Sequence, residues 1–99
     1  MNLPLIWSPT AKAEYAELLG YVESNFGIDA ALNLLDKTEE TADRIASFPL
    51  AYPSSTIRPD IRKALVSPQT SLLYRISETQ IQLLHVWDNR QDPERLLDL

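Results

Sequence analysis

Runs of bulky apolar residues along the chain change their spacing from one segment to the next. Residues 3–7 form a short apolar run that ends at Ser8 and Pro9. A capping serine followed by proline is typical of a helix start, because the N–H that proline lacks has no intrahelical partner there. We therefore predict a first strand over 3–7 and a helix that begins at Pro9.

Two helices are predicted next. From Ala11 to Phe26 apolar residues recur every three or four positions, which gives a helix one apolar face. Gly27 then favours a helix end, since glycine readily adopts the left-handed backbone found there. The same spacing resumes after Asp29, a candidate N-cap, and continues to about Ser47. With so short a connection, the helices should form an antiparallel hairpin.

Three apolar-rich segments in the second half predict strands, over 61–67, 70–77 and 80–87. A tight turn near Glu78 and Thr79 joins the last two. If that turn has two residues, alternation assigns the side chains to two faces of the sheet. The face predicted to lie under the helices holds Leu72, Tyr74, Ile76, Ile81, Leu83, His85 and Trp87. The opposite face holds Ser71, Leu73, Arg75, Gln82, Leu84, Val86 and Asp88.

The element order β-α-α-β-β-β predicts an α+β fold of two layers. In it, the N-terminal strand joins a four-stranded antiparallel sheet, and the helical hairpin packs on one face. The 99 residues are enough for one domain, 1–99, with one modest core. The predicted core residues are Tyr15, Leu18, Val22, Leu35, Ile45, Tyr74 and Leu83.

Composition excludes several classes of site. The absence of cysteine excludes disulfides and thiolate metal sites, and fits a reducing cytoplasm. One histidine, His85, leaves too few ligands for an imidazole metal site, so we expect neither a metal nor a cofactor. No apolar run approaches the ~20 residues that cross a bilayer, and the N-terminus does not resemble a signal peptide. A cytoplasmic protein without membrane contact is the resulting expectation.

Charge is distributed unevenly along the chain. The net charge is −5, and residues 1–57 hold three Lys or Arg against eight Asp or Glu. Residues 58–76 hold four basic residues against one acidic residue. This clustering arises by chance in some small proteins. The alternative is a local basic surface that binds phosphate or a carboxylate-rich partner.

Most catalytic motifs are missing from the sequence. It has no glycine-rich phosphate loop, no H-E-x-x-H and no G-x-S-x-G, and a triad through His85 conflicts with its position inside a strand. Arginines that converge on a sheet face can orient phosphates and stabilise charge in phosphoryl transfer. They can equally form structural ion pairs with acidic neighbours. Arg75 would pair with Asp88, and Arg90 with Asp88, Asp92 or Glu94. The basic residues concerned are Arg58, Arg62, Lys63, Arg75 and Arg90.

Five segments together resemble a known family. They are WSPTAKAEYAELLGYVESNFG, IASFPLAYP, IRKALV, SLLYRI and LLHVWDNRQDPERL. In this order, the chain resembles the RelE/ParE superfamily of bacterial toxins from type II toxin–antitoxin systems. The similarity covers nearly the whole sequence, and its strength lies in the joint order of the segments rather than in any single one.

The resemblance implies the fold predicted above and a toxin that a cognate antitoxin neutralises. A ParE-like toxin would inhibit growth by binding DNA gyrase, whereas a RelE-like toxin would cut mRNA on the ribosome. A third alternative is a remnant that binds the antitoxin but is no longer toxic. In each case, DNA would be contacted only through the antitoxin complex.

The resemblance also implies candidate site residues. Arg90 matches the late arginine of the nuclease branch and Arg62 a basic position in its second strand, so both are candidate catalytic residues. The surface that binds the target or the antitoxin would include Arg58, Arg62, Lys63, Arg75 and Arg90. The chain departs from the nuclease pattern at three positions. It has Ser71 in place of arginine, Ala64 in place of lysine and Leu96 near a tyrosine position. These departures favour target binding or a remnant over RNA cleavage.

Overall fold

The computed structural model, which describes residues 3–99, has the predicted two-layer α+β fold. Its elements are β1 (Leu5–Trp7), α1 (Pro9–Phe26), α2 (Ile28–Ser47), β2 (Arg62–Ser67), β3 (Thr70–Ile76), β4 (Ile81–Asp88) and a short 3-10 helix, η1 (Pro93–Asp98). The two helices form the predicted hairpin and pack on one face of a four-stranded sheet. The architecture expected from the element order is thereby confirmed.

The sheet has the strand order β1-β4-β3-β2. Strand β3 is antiparallel to both of its neighbours, β2 and β4, as predicted. Strand β1, however, runs parallel to β4, with Leu5 opposite Ile81 and Trp7 opposite Leu83. The prediction of a wholly antiparallel sheet is therefore wrong at this edge. The reason lies in the long connection 48–61, which decides the direction in which the chain enters β2. Hydrophobic spacing does not encode that direction.

The helix boundaries follow local backbone chemistry. The Ser8 hydroxyl accepts a hydrogen bond from the Ala11 N–H at 3.0 Å, which confirms the predicted start of α1. Gly27, at φ 94°, both ends α1 and serves as the N-cap of α2. Asp29, the predicted cap, lies instead in the first turn of α2, where its carboxylate is favoured by the helix dipole. The one residue between the helices explains their tight antiparallel packing.

The core beneath the helices contains three of the predicted residues in fully buried positions, namely Ile45, Tyr74 and Leu83. Four others are only partly buried: Tyr15, Leu18, Val22 and Leu35. The hairpin is the outer layer of a two-layer domain, so each helix is covered on one side alone. In α1 the fully buried residue is Ala11, and the larger apolar side chains lie at the edges of the interface.

A bulge in β4 changes the predicted side-chain alternation. Leu73 and Tyr74 are consecutive on β3, but their partners on β4 are His85 and Leu83. Leu84 is the extra residue, and an extra residue reverses the alternation of every side chain beyond it. The predicted assignment of β4 side chains to the two faces of the sheet is therefore correct as far as Leu84 and wrong beyond it.

Two residues exchange faces as a result. Val86, predicted on the open face, packs against the core under the helices. Trp87, predicted under the helices, lies in a second cluster with Leu73, Leu96 and Ile61. His85 belongs to neither cluster. Because η1 brings Leu96 onto this second cluster, the centre of β3 is buried from both sides.

Leucine truncations test the two degrees of burial. Leu83→Ala should lower the free energy of unfolding by about 2–5 kcal/mol, because the buried side chain leaves a cavity. Leu35→Ala, at a half-buried position, should cost less than Leu83→Ala. Leu65→Ala is the control, since Leu65 is 59% exposed and should change stability by no more than about 0.5 kcal/mol. Urea denaturation of the three variants measures this order, and an equal loss at positions 83 and 65 would contradict it.

Tyr74 gives a prediction about alkaline stability. Burial raises the pKa of this phenol to about 12 from an ordinary value of 10.0, and its hydroxyl donates a hydrogen bond to the Pro49 carbonyl. Since the folded pKa is the higher one, the contribution to stability is complete below pH 10 and is lost as the pH rises towards 12. Thermal melting between pH 8 and pH 12 should show this loss. Tyr74→Phe should be less stable at pH 8 but should lose less between pH 10 and pH 12.

Candidate functional site

The five basic candidate residues do not form one cluster. Arg58 precedes β2, Arg62 and Lys63 begin it, and Arg75 lies near the end of β3. Arg90 follows β4, at the other end of the sheet. The site is therefore best described as two regions, one around Asp60 and one around Arg90.

In the first region, Arg58 is held by the protein itself. Its guanidinium donates two hydrogen bonds of 3.0 Å to the Asp60 carboxylate, and these lower the pKa of Asp60. It also donates to the carbonyls of Leu96 and Leu99, at 3.2 and 2.8 Å. These bonds fasten the C-terminal segment to the loop before β2, which gives Arg58 a structural role.

Arg75 shares this region. Its guanidinium donates to the Gln82 side chain at 3.1 and 3.2 Å and lies 3.7 Å from the Asp60 carboxylate. The Arg75–Asp88 ion pair considered from the sequence does not form, because Asp88 lies opposite Thr70 at the far end of β3. Almost half of the Arg75 side chain, 45%, remains exposed.

Arg62 and Lys63 point to different sides of the sheet because they are consecutive in a strand. Arg62 lies opposite Tyr74 and donates to the Tyr52 carbonyl, on the helix side. Lys63 lies opposite Leu73, whose side chain belongs to the second cluster. The excess of basic residues in 58–76 is thus divided between the two faces.

The second region is built around Arg90. Its guanidinium forms a two-point contact with Asp88, at 3.0 and 2.9 Å, and its backbone N–H donates to the same carboxylate at 2.9 Å. The side-chain hydrogen bonds from Arg90 lower the pKa of Asp88. Even so, 75% of the Arg90 side-chain surface is exposed. The ion pair considered for Arg90 from the sequence therefore forms, with Asp88, which orients the guanidinium without covering it.

Arg90 lies at the rim of a groove of about 520 Å³. We call it the Arg90 groove. Its walls come from the hairpin, the β2–β3 turn and the end of β4, and they are Glu14, Leu18, Tyr21, Val22, Phe26, Ala30, Asn33, Leu34, Lys37, Ser67, Pro68, Gln69, Thr70, Val86, Trp87, Asp88 and Arg90. Tyr21 and Phe26 are 58% and 69% exposed, and their rings contact each other edge to face. The groove thus combines an apolar wall with an exposed guanidinium that is paired with Asp88.

Asn89 positions Arg90, a role that the sequence analysis missed. The backbone N–H of Asn89 donates to the Gln69 carbonyl at 2.8 Å, and its side-chain amide donates to the Pro68 carbonyl at 3.2 Å. These bonds tie the end of β4 to the β2–β3 turn. An asparagine directly after a strand was a possible signal, because asparagine commonly makes such backbone contacts in turns.

Glu14 is the second residue that sequence reasoning missed. Its carboxylate lies 3.2 and 3.3 Å from Nδ1 of His85 and accepts the Val86 N–H at 3.0 Å. The carboxylate therefore joins α1 to the edge of β4, beyond the point where β1 ends. His85 is thus a hydrogen-bonded residue of β4, which agrees with the position inside a strand that argued against a catalytic triad.

The positions that depart from the nuclease pattern are interior ones. Ser71 and Ala64 are completely buried, and Leu96 is 5% exposed. A long basic side chain at Ser71 or Ala64 would have to enter the packed interior. Within residues 3–99, no group of three or more His, Cys, Asp or Glu side chains is placed to bind a metal. No helix in the same range has the length and apolarity needed to span a membrane.

Comparison with known proteins identifies the family. Residues 5–93 match the model of the family described as ParE toxin of type II toxin-antitoxin system, parDE. No curated protein sequence matches at a significant level.

Solved structures resemble the fold. One is the chromosomal ParDE toxin–antitoxin system from P. aeruginosa, with a TM-score of 0.77 at 17% identity, covering 88% of this chain and 96% of that one. The YoeB/ParE toxin from Agrobacterium tumefaciens has a TM-score of 0.65 at 11% identity, covering 88% and 99%. The E. coli DinJ–YafQ toxin–antitoxin complex has a TM-score of 0.61 at 12% identity, covering 89% and 93%.

The family match covers nearly all of the folded chain, from β1 to the start of η1, and the expected RelE/ParE resemblance is confirmed. The chain belongs to the ParE toxin family of type II toxin–antitoxin systems.

Proposed function

We propose that this toxin inhibits growth by binding a cellular protein through the Arg90 groove, and that a cognate antitoxin neutralises it. DNA gyrase is the target that we propose, on the precedent of ParE-like toxins. The observation that supports binding over catalysis is the separation of Arg90 from the other basic candidates. RNA cleavage by the same chain is the alternative.

Catalysis of phosphoryl transfer needs charged groups that converge on the reacting phosphate. Arg62 begins β2, while Arg90 follows Asn89, which is bonded to the carbonyl of Pro68 just beyond the end of β2. At roughly 3.3 Å per residue, the length of β2 separates the backbone of Arg62 from that of Arg90 by roughly 16 Å. The Arg62 guanidinium is also bonded to the Tyr52 carbonyl, whereas that of Arg90 is held by Asp88, so the two groups do not converge and make a poor nuclease pair.

Protein binding makes different demands, and the Arg90 groove meets them. Arginine and aromatic residues contribute much of the binding energy in protein interfaces. Here Tyr21 and Phe26 expose their rings on the wall, and Arg90 exposes its guanidinium at the rim. A carboxylate of the target can replace Asp88 as the hydrogen-bond partner of Arg90, because the pair is exposed and already faces outward.

The antitoxin is the second proposed partner. Toxins of this fold have been solved together with antitoxins, as in the E. coli DinJ–YafQ complex. We propose that an acidic antitoxin contacts the region around Asp60, where the side chain of Arg75 is 45% exposed. Lys63 would extend this contact on the same side of the sheet. Arg58 would contribute indirectly, by holding the segment in place.

The first experiment separates target binding from RNA cleavage. The protein is expressed from an inducible promoter without an antitoxin, and plasmid supercoiling and protein synthesis are followed separately. Inhibition of gyrase should change supercoiling before translation falls. Early loss of translation together with cleaved mRNA would favour the nuclease alternative, and normal growth would favour a remnant without toxicity.

Arg90→Ala tests the proposed site directly. We expect it to abolish growth inhibition, because the guanidinium is the oriented, exposed cation of the groove, while the melting temperature stays within a few degrees. Arg95→Ala is a matched control, since Arg95 is an exposed arginine in η1 that does not line the groove.

Arg62→Ala separates the two mechanisms further. A nuclease that uses both arginines would lose activity with either change, whereas a target-binding toxin should keep most of its inhibition without Arg62. Melting temperatures identify any loss caused by unfolding. Full inhibition by Arg90→Ala would contradict the proposed site.

A further inference from the structure

Within residues 3–99, strand β1 forms one edge of the sheet, and no other strand pairs with one side of its backbone. It pairs with β4 alone, through bonds such as that from the Ile81 N–H to the Pro4 carbonyl and from the Ser8 N–H to the Leu83 carbonyl. Backbone groups of successive strand residues point to alternate sides, so those of Leu5 and Trp7 face away from β4. An edge of this kind can pair with an added strand.

A second groove, of about 670 Å³, borders this edge. We call it the β1 groove. Its lining residues are Leu5, Trp7, Lys12, Tyr15, Ala16, Leu19, Thr38, Glu39, Ala42, Asp43 and Ala46. The groove exists because alanines occupy α1 and α2 where larger side chains would fill the space. Trp7 and Tyr15, with ring centroids 5.2 Å apart, supply its aromatic wall.

The rim of the β1 groove on α2 is acidic. Glu39 and Asp43 line the groove and are exposed, and no Lys, Arg or His within residues 3–99 forms a salt bridge with either. Lys12 is the basic residue of the lining. The wider surface has the same sign, because residues 9–47 carry eight acidic side chains against three basic ones. A basic partner is therefore attracted to this side of the hairpin.

The β1 groove and the Arg90 groove lie on opposite flanks of α1. Glu14, Leu18 and Tyr21 line the Arg90 groove, whereas Tyr15 and Leu19 line the β1 groove. The two linings have no residue in common. The two grooves are therefore separate surfaces.

From these features we infer that the β1 groove docks an extended polypeptide segment in which apolar and basic residues alternate. The segment adds to β1 as a fifth strand through the free backbone groups of Leu5 and Trp7. Side chains on its groove-facing side cover the alanine floor and reach Glu39 and Asp43. Its other side chains lie beside Ile6, which is 46% exposed on the opposite face of the sheet.

A defined peptide tests this inference with the full-length protein. The probe is an acetylated and amidated ten-residue peptide of alternating valine and arginine, titrated into the ¹⁵N-labelled protein. We expect shifts centred on Leu5–Trp7, Ala16 and Ala42, and slower amide exchange at Leu5 and Trp7. The same peptide with glutamate in place of arginine should not bind. Methylation of alternate backbone nitrogens, which removes the donors, should also abolish binding.

Matched charge reversals localise the contact. Glu39→Lys/Asp43→Lys should weaken binding of the arginine peptide by about tenfold or more, since two favourable ion pairs become repulsive. Glu17→Lys/Glu23→Lys is the control, because it changes net charge equally at exposed positions outside both grooves. It should reduce the affinity far less.

Three results would overturn the inference. One is an equal loss of affinity for the arginine peptide in the two double variants, which would mean that binding depends on net charge alone. Another is a set of shifts that maps away from β1, or no binding at millimolar peptide. The third is self-association of the protein through β1 on gel filtration, which would make a second copy the occupant.

Discussion

Burial of strand β3 on both faces is the constraint on which the rest of this structure depends. Five successive residues, Thr70–Tyr74, are buried. A short antiparallel strand with solvent on one side would alternate between buried and exposed positions, so each face here needs its own cover. The helical hairpin covers one face, and η1 with the loop before β2 covers the other. Without Leu96 and the bonds that Arg58 makes to the C-terminal segment, the second face would be open to water.

The covering of both faces of the sheet also determines which arginines are engaged within the protein and which one is exposed for binding. Arg58 donates hydrogen bonds to the C-terminal segment. Arg62, the first residue of β2, donates to the Tyr52 carbonyl. Arg90 differs because it emerges where the chain leaves the sheet, with Asn89 anchoring the backbone and Asp88 orienting the side chain. An exposed cation fixed in direction is suited to recognition, since little conformational freedom remains to be lost on binding.

The hairpin has a different electrostatic character from the sheet. Its excess of carboxylates accounts for the net charge of the whole chain, while the remainder of the sequence is balanced. The alanines that open the β1 groove lie among these carboxylates, whereas the lining of the Arg90 groove balances two cations, Lys37 and Arg90, against two carboxylates, Glu14 and Asp88. Opposite flanks of one helix therefore present surfaces of different charge.

Local chemistry in the sequence determined the elements. The Ser8–Pro9 start, the apolar spacing of α1 and α2, and Gly27 at the hairpin each depend on neighbouring residues, so they could be predicted without the fold. Tertiary structure alone decided three things. The bulge at Leu84 moved Val86 and Trp87 to new faces, because strand register depends on the partner strand. The connection 48–61 set β1 parallel to β4. The separation of Arg62 from Arg90 followed from the length and order of the strands, which bring residues together or keep them apart regardless of their charge.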